Sequence, residues 1–571
     1  MHSSSLPSPQ RDPESAPSGR VRPGFRAAQT WLHTWMGLIP GWLLYAIFLT
    51  GTASYFKPEI TQWMQPEAAQ SALAGMQALE RARDTLAAVA PDARNWYVQL
   101  PGERRPGIRI AWYDPGARES YRERMLDAGP AAAPVRDSKG GEFFYRFHFE
   151  LGLPYPFGRW LACFAGISLM VALVTGIIAH RRFFADLFTW RLGKSPFRSW
   201  LDFHNAAGSL SLPFFLMIGY TSLIMLMEMF SPWGRLATEP PPSSAMETRA
   251  RPAPPSVTHQ VPAVDEAQVA APRPVDWRSL LAKAQGTFRK DGLAVERVDW
   301  YERSGEKPRI VFYSTSGPSI AWSPHPGLAF HALTGRPWAE SSGGEKREAV
   351  GAAALTHDFL YGLHLGRFAD PLMRGLFFFM GLSGALLIAS GMHVFLIRRR
   401  AKWTSRADRG RSGIGLLLVE RVNAGMLAGF PLAFAAMFWA NRILPAHLPL
   451  RFAWEIRCFY GALATCLIVA LLLPARRAWP TLFAAAALMF AALPLLDMGL
   501  AWPFFIQAWR TTFSAQEGAA VFHGHLGFDA LMIFIGAGFA WAWRQTLAAR
   551  RRDPPSESSV ALPLPSLAET A

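Results

Sequence analysis

The sequence predicts a mainly α-helical, polytopic membrane protein of about eight transmembrane helices, with a duplicated two-helix unit and two small α+β modules outside the bilayer. Three observations predict it. Half of the 571 residues are hydrophobic, with 22 Trp and 40 Phe, too apolar for an ordinary soluble protein. The net charge of +16 sits just beside apolar runs, which is the orientation signal of a membrane protein and not the patch of a nucleic-acid binder. Histidines recur at the same places in two successive parts of the chain.

Residues 1–26 are rich in Ser, Pro and Arg and read as a disordered cytoplasmic tail without a signal peptide. The first span runs from Trp31 to Phe56 and opens WLHTWMG, with His33 one turn before Gly37. Residues 57–158 form an outer module. Helical spacing over 67–90 precedes the strand-like NWYVQLP, GIRIAWYD and ESYRERMLD, and FFYRFHFELGL puts His148 before the next span. The second span, Trp160 to His180, ends at Arg181-Arg182 in a basic inner loop. The third span, 205–230, follows LDFHNAAG, with His204 one turn before Gly208.

Residues 231–372 hold a Pro- and Ala-rich linker to Pro274 and a second module, a helix over Trp277–Lys290 and the strands VERVDWYE, RIVFYST, SIAWS and LAFHALTG. LYGLHLG places His364 ahead of the fourth span, 373–400. The uncharged run from Gly375 to Ile397 carries His393 and ends in Arg398–Arg400, so that end is cytoplasmic.

Residues 401–545 read as a C-terminal extension of four spans, Gly413–Ala440, Trp454–Leu473, Pro480–Trp502 and Leu526–Trp543, and 546–571 as a cytoplasmic tail. In VERVNAG, Asn423 stands where the earlier span starts have a histidine, so no equivalent ligand is expected there. His523 and His525 have no assignment. His259, His325, His331 and His447 read as structural, and His357 as a solvated surface group. Cys163, Cys458 and Cys466 all lie in apolar runs, which excludes a disulfide framework or thiolate site, and the absence of C-x-x-C-H excludes covalent c-type haem.

The repeat organises the histidines. His33-x-x-x-Gly37 answers His204-x-x-x-Gly208, His148 answers His364, and His180 answers His393 near the inner arginines. Six imidazoles thus fall in two layers. Neutral imidazole is a good axial ligand for haem iron, and Gly37 and Gly208 leave room for a porphyrin edge. Ionisable groups at membrane depth are functional candidates by default. Taken singly, His33, His180 and His204 can also be solvated at the interface or meet lipid phosphate; the paired repeat favours ligation.

WLHTWMG, LDFHNAAG, TGIIAHRRFFADLFTWR and LYGLHLG together resemble the PepSY-associated transmembrane family, over residues 25–400. That family includes iron-regulated inner-membrane proteins and siderophore reductases that resemble di-haem cytochromes. The resemblance implies two PepSY-like periplasmic modules and two b-type haems. It implies His148 and His364 as outer ligands, and an inner layer drawn from His33, His180, His204 and His393 with the pairing open. It implies a bacterial inner-membrane protein, and the basic residues at Arg476-Arg477 and Arg550–Arg552, with eight spans, put both termini in the cytoplasm.

The expected activity is transmembrane electron transfer that reduces ferric siderophore in the periplasm and releases iron. Trp96, Tyr97, Trp112, Trp300 and Tyr301 are candidates to touch the chelate, although filling the module cores accounts for most of them. No G-x-G-x-x-G stands in a strand–helix context, so the electron donor is another protein, a quinol or a diffusible flavin. Two rival readings are a non-redox regulator, which leaves the histidines unexplained, and a siderophore or iron transporter, against which the expected continuous spans and the polar groups near the membrane faces speak.

Overall fold

Helix α1 (Phe25–Leu38) and helix α2 (Gly41–Ser54) form one broken span, bent by 60°. The bend falls at Pro40, which has no N–H to give and whose ring crowds the preceding turn. Helices α7 (Pro196–Leu210) and α8 (Leu212–Met225) repeat the device, bent by 66° beside Pro213. The expectation of continuous spans is therefore corrected at both places; GLIPGW and SLSLPF carried the signal. The computed structural model describes residues 24–70, 73, 75–102, 104–105, 107–113, 121–126, 135–180, 195–231, 276–303, 308–315, 320, 327–338, 352–404, 412–500 and 515–552. The N-terminal tail, the Pro-rich linker, most of SIAWS, and His259 and His325 lie outside them.

The chain continues through α3 (Lys57–Met64), α4 (Gly75–Val89), strands β1 (Trp96–Gln99), β2 (Ile108–Tyr113) and β3 (Tyr121–Leu126), α5 (Gly141–Glu150) and the span α6 (Phe157–Ala179). After α8 come α9 (Trp277–Lys290), β4 (Val295–Tyr301), β5 (Arg309–Ser314), β6 (Gly327–His331), α10 (Ala352–Leu365) and the long span α11 (Pro371–Thr404). Helices α12 (Ser412–Leu427), α13 (Gly429–Ile443), α14 (Arg451–Leu472), α15 (Ala475–Leu500) and α16 (Ala515–Arg552) form the extension. Among the described residues, six helical segments are long and apolar enough to cross a membrane, or eight with each bent pair counted as one span. Their outward faces are apolar, as with Trp160, Phe164, Ile167, Val174 and Ile178 on α6. A protein that exposes such faces is solvated by lipid. This is a multi-pass membrane protein.

The two expected modules are fused. Strand β1 pairs antiparallel with β4, Trp96 opposite Trp300, giving one six-stranded sheet in the order β3-β2-β1-β4-β5-β6. Each three-stranded half alone has two open edges, and pairing β1 with β4 closes one edge of each. Helices α4 and α9 cover one face with the same spacing, Ala78, Leu79, Ala82 and Leu86 answering Leu280, Leu281, Ala284 and Phe288. Trp96 and Trp300 belong to this core and Trp112 packs partly buried against it, while Tyr97 and Tyr301 pack against each other on the opposite face. The sheet is strapped to the helices by Glu59 on α3, which accepts from Arg104 at 2.7 and 2.8 Å and from Arg374 on α11 at 3.3 Å.

The extension is bolted to α5. Phe143, Phe144 and Phe147 meet Phe459, Phe434 and Phe430 with ring centroids 5.0, 5.0 and 5.5 Å apart. Asn423 accepts from Trp42 Nε1 at 2.8 Å, which accounts for an asparagine at that span start: it latches α12 to α2.

Candidate functional site: two imidazole pairs between the repeats

The repeat is closer in the structure than in the motifs. Helix α8 begins and ends 171 positions after α2, and the same offset relates His33 to His204, Ile47 to Ile218 and Thr50 to Thr221. An offset of 215 relates Ala172 to Leu387 and Gly176 to Gly391. Each imidazole pair takes one member from each repeat.

In the first pair, His33 on α1 and His204 on α7 face each other with ring centroids 6.2 Å apart. His33 Nδ1 bonds to the Ala172 carbonyl on α6 at 2.8 Å, and His204 Nδ1 to the Leu387 carbonyl on α11 at 3.0 Å. In the second pair, His148 on α5 and His364 on α10 stand 6.1 Å apart. His148 Nδ1 bonds to the Ile47 carbonyl on α2 at 2.8 Å, and His364 Nδ1 to Thr221 Oγ1 at 2.8 Å. Thr221 gives its own proton to the Met217 carbonyl at 2.7 Å, so its oxygen accepts from His364.

A carbonyl only accepts, so all four imidazoles carry their proton on Nδ1. Nε2 is then the bare nitrogen left for the gap within each pair, and it has no hydrogen-bond partner among the described residues. Two lone pairs sharing one gap gain nothing from each other; a Lewis acid between them uses both. This is the second-shell geometry of metal-bound histidine.

Glycines make the approach possible. A Cβ at Gly176 would stand 3.0 Å from His33 Cε1, one at Gly391 2.9 Å from His204 Cε1, and one at Gly51 2.6 Å from His148 Cε1. Of the glycines singled out in the sequence, Gly37 has nothing within 4 Å of such a Cβ, and Gly208 would meet Leu387 at 3.4 Å.

His180 and His393 lie outside both pairs. His180 caps α6. His393 packs its ring 4.8 Å from that of Trp200. By the 215 offset His180 corresponds to Phe395, so the two are not counterparts. His393 is two residues beyond Gly391 and is rotated from it by about 200° around the helix. His331 stacks on Trp338 at 5.6 Å. His525, unassigned in the sequence, is buried in the extension, and the side chain of His523 lies outside the described residues. The partners that fix the pairs, Ile47, Thr221, Ala172 and Leu387, carried no signal of their own in the sequence, because three of them act through backbone carbonyls.

Fold and site thus define a multi-pass membrane protein whose two repeats each give one imidazole to each of two pairs. The chain belongs to the family of the PepSY-associated TM region, whose model matches residues 30–398. It is 27% identical over 349 residues to PA4219, an uncharacterised protein of Pseudomonas aeruginosa, covering 59% of this chain and 81% of that one. The four-span extension lies beyond the matched family region.

Proposed function

We propose that the protein is a b-type di-haem reductase of the bacterial inner membrane that carries electrons outward and reduces ferric siderophore. The carrying observation is the two imidazole pairs at two depths. A metal held by two imidazoles at about 2 Å each puts their ring centroids roughly 6.4 Å apart on a straight axis. The separations of 6.2 and 6.1 Å fit that span. Two ligands do not satisfy a bare ion, which takes about four. Among the described residues no third His, Cys, Asp or Glu joins either pair; the one group of three that could hold an ion is elsewhere. Haem fits because it brings its own equatorial nitrogens and needs two axial ligands.

Bound haem supplies a one-electron carrier at each depth. The chain's residues do the rest. Carbonyls of Ala172, Leu387 and Ile47 and the Thr221 hydroxyl hold each imidazole neutral and aimed, and flanking apolar helices exclude water. From His33 to Ile47, which holds the other layer, the path is at most about 21 Å along the helix axis. The substrate is Fe(III) held by a chelator beside the sheet module. Hard oxygen donors hold Fe(III) more firmly than Fe(II), so gain of one electron loosens the iron. Arg398–Arg400, Arg476-Arg477 and Arg550–Arg552 support a cytoplasmic inner face and a periplasmic sheet, with both termini inside. A quinol, a flavin or a protein gives the electron.

Proteoliposomes with reductant enclosed and ferric siderophore outside test the reading. Fe(II), trapped by a ferrous-specific chelator, is expected outside, and is lost in His364→Ala. No Fe(II) from haem-loaded protein overturns it. The bent spans give the transporter reading one supporting observation, since transporters use broken helices. Uptake of the ferric chelate without reductant would favour that reading instead.

A further inference from the structure

A second group of buried ionisable side chains lies where α3 meets the extension, outside the region that defines the family. Asp497 on α15, His525 and Asp529 one turn apart on α16, and Arg442 on α13 are all buried. Asp497 accepts from Arg442 Nε through Oδ1 at 2.5 Å and bonds to His525 Nε2 through Oδ2 at 2.5 Å. Asp529 Oδ1 accepts from Trp63 Nε1 at 3.0 Å, and its Oδ2 stands 3.9 Å from the same His525 nitrogen. Asp529 is also within hydrogen-bond reach of Asp497. Arg442 gives two further donors, one to Asn441 Oδ1 and one to the Trp63 carbonyl, both at 2.6 Å.

A count of charge decides what is missing. Arg442 pairs with Asp497, Arg136 with Glu67, and Arg451 with Glu455. Asp529 is the fourth carboxylate against three arginines, and the indole that bonds to it is neutral. With every carboxylate ionised and His525 neutral, the seam would bury one net negative charge. Buried groups in that position take up a proton instead. His525 is itself buried, so a charge placed on it costs as a charge on a carboxylate does. A divalent ion would overshoot to net positive. The 2.5 Å between His525 Nε2 and Asp497 Oδ2 is also a hydrogen-bond distance, shorter than that between two ligand atoms ranged around one ion at about 2 Å each.

We propose that Asp497, His525 and Asp529 form a proton-binding site, with one proton on the Asp529 carboxyl donated to Asp497. Buried carboxylate–histidine chains of this kind in membrane proteins serve proton transfer. The site lies at the end of α15 remote from Arg476-Arg477, on the side of the bundle that carries the sheet, so its proton exchanges there. Loss of the proton sets two carboxylates against each other beside the Trp63–Asp529 hydrogen bond. Trp63 sits on α3, which follows α2 directly, and α2 brings Ile47 and Gly51 to His148. Proton occupancy is thereby linked to the seating of the outer pair.

Infrared difference spectroscopy on the solubilised full chain, wild type against Asp529→Asn at neutral pH, reads the proton directly. A protonated-carboxyl C=O band is expected in the wild type, to vanish in Asp529→Asn and to fade as the wild type is taken to high pH. Asp497→Asn, run the same way, is expected to shift that band, and keeps the test open if Asp529→Asn does not fold. The absence of any band difference in the folded variants overturns the proposal, as does one tightly held divalent metal per chain. The readout does not involve haem, so this site and the reductase reading fail independently.

Discussion

His33 and His204 hold the same bond on opposite sides of one gap: each Nδ1 reaches the carbonyl of a residue four positions before a glycine, Ala172 before Gly176 and Leu387 before Gly391. The carbonyl fixes the tautomer and the glycine lets the ring come close. His148 repeats the arrangement with Ile47 and Gly51. At His364, the fourth copy, position 222 is serine in place of glycine; the Ile218 carbonyl still bonds to the ring, and the Thr221 hydroxyl joins it at 2.8 Å from Nδ1.

The pairing predicts how haem divides among variants. His148→Ala and His364→Ala should each remove one of two haems, and His33→Ala and His204→Ala the other. His393→Ala should keep both, since its ring packs on Trp200. Pyridine haemochrome titration of the purified variants measures this. Full loss of a haem in His393→Ala with retention in His204→Ala would reverse the assignment.

The glycines predict a steric counterpart. Gly51→Ala places a methyl 2.6 Å from the His148 ring, and the outer haem should be lost or spectrally shifted with the inner one kept. Gly37→Ala, with no neighbour within 4 Å, should leave both spectra unchanged. Optical spectra of the two variants side by side check this.

The latch between extension and core predicts a stability effect separable from the pairs. Asn423→Ala leaves the Trp42 indole without its acceptor in a buried site, costing about 1–2 kcal/mol. A lower Tm in detergent, with unchanged haem content below it, is the expected result.

Much of this was legible in the sequence. The apolar runs and flanking arginines gave the spans, and the twin H-x-x-x-G starts showed a duplication that the structure reproduces helix for helix. What was hidden has physical reasons. Fusion of the modules rests on backbone pairing of β1 with β4, to which Trp96 and Trp300 give no sequence mark. The inner pair could not be separated from His180 and His393 because spacing alone does not tell which helix face meets which. The buried role of His525 depends on Asp497, 28 residues away, and on Trp63 in another part of the chain.

The sheet module offers a pH test clear of the membrane. Burial raises the Asp299 carboxyl above its ordinary range, against the opposing effect of Arg297 and the Tyr301 hydroxyl at 2.9 Å. A raised folded-state value gives a contribution that is full below the unfolded-state range and lost as pH climbs through the folded one. Asp299→Asn should therefore gain on the wild type as pH rises from the ordinary carboxylate range upward. Thermal unfolding of both proteins across that window checks the sign, and a gap that narrows with rising pH contradicts it.

The most direct test of the central claim, that the imidazole pairs hold haem, is the haem-to-protein ratio of the purified full chain from haem-replete cells. The account predicts two b-type haems per chain, with a Soret band that shifts on dithionite reduction. A colourless protein would contradict it.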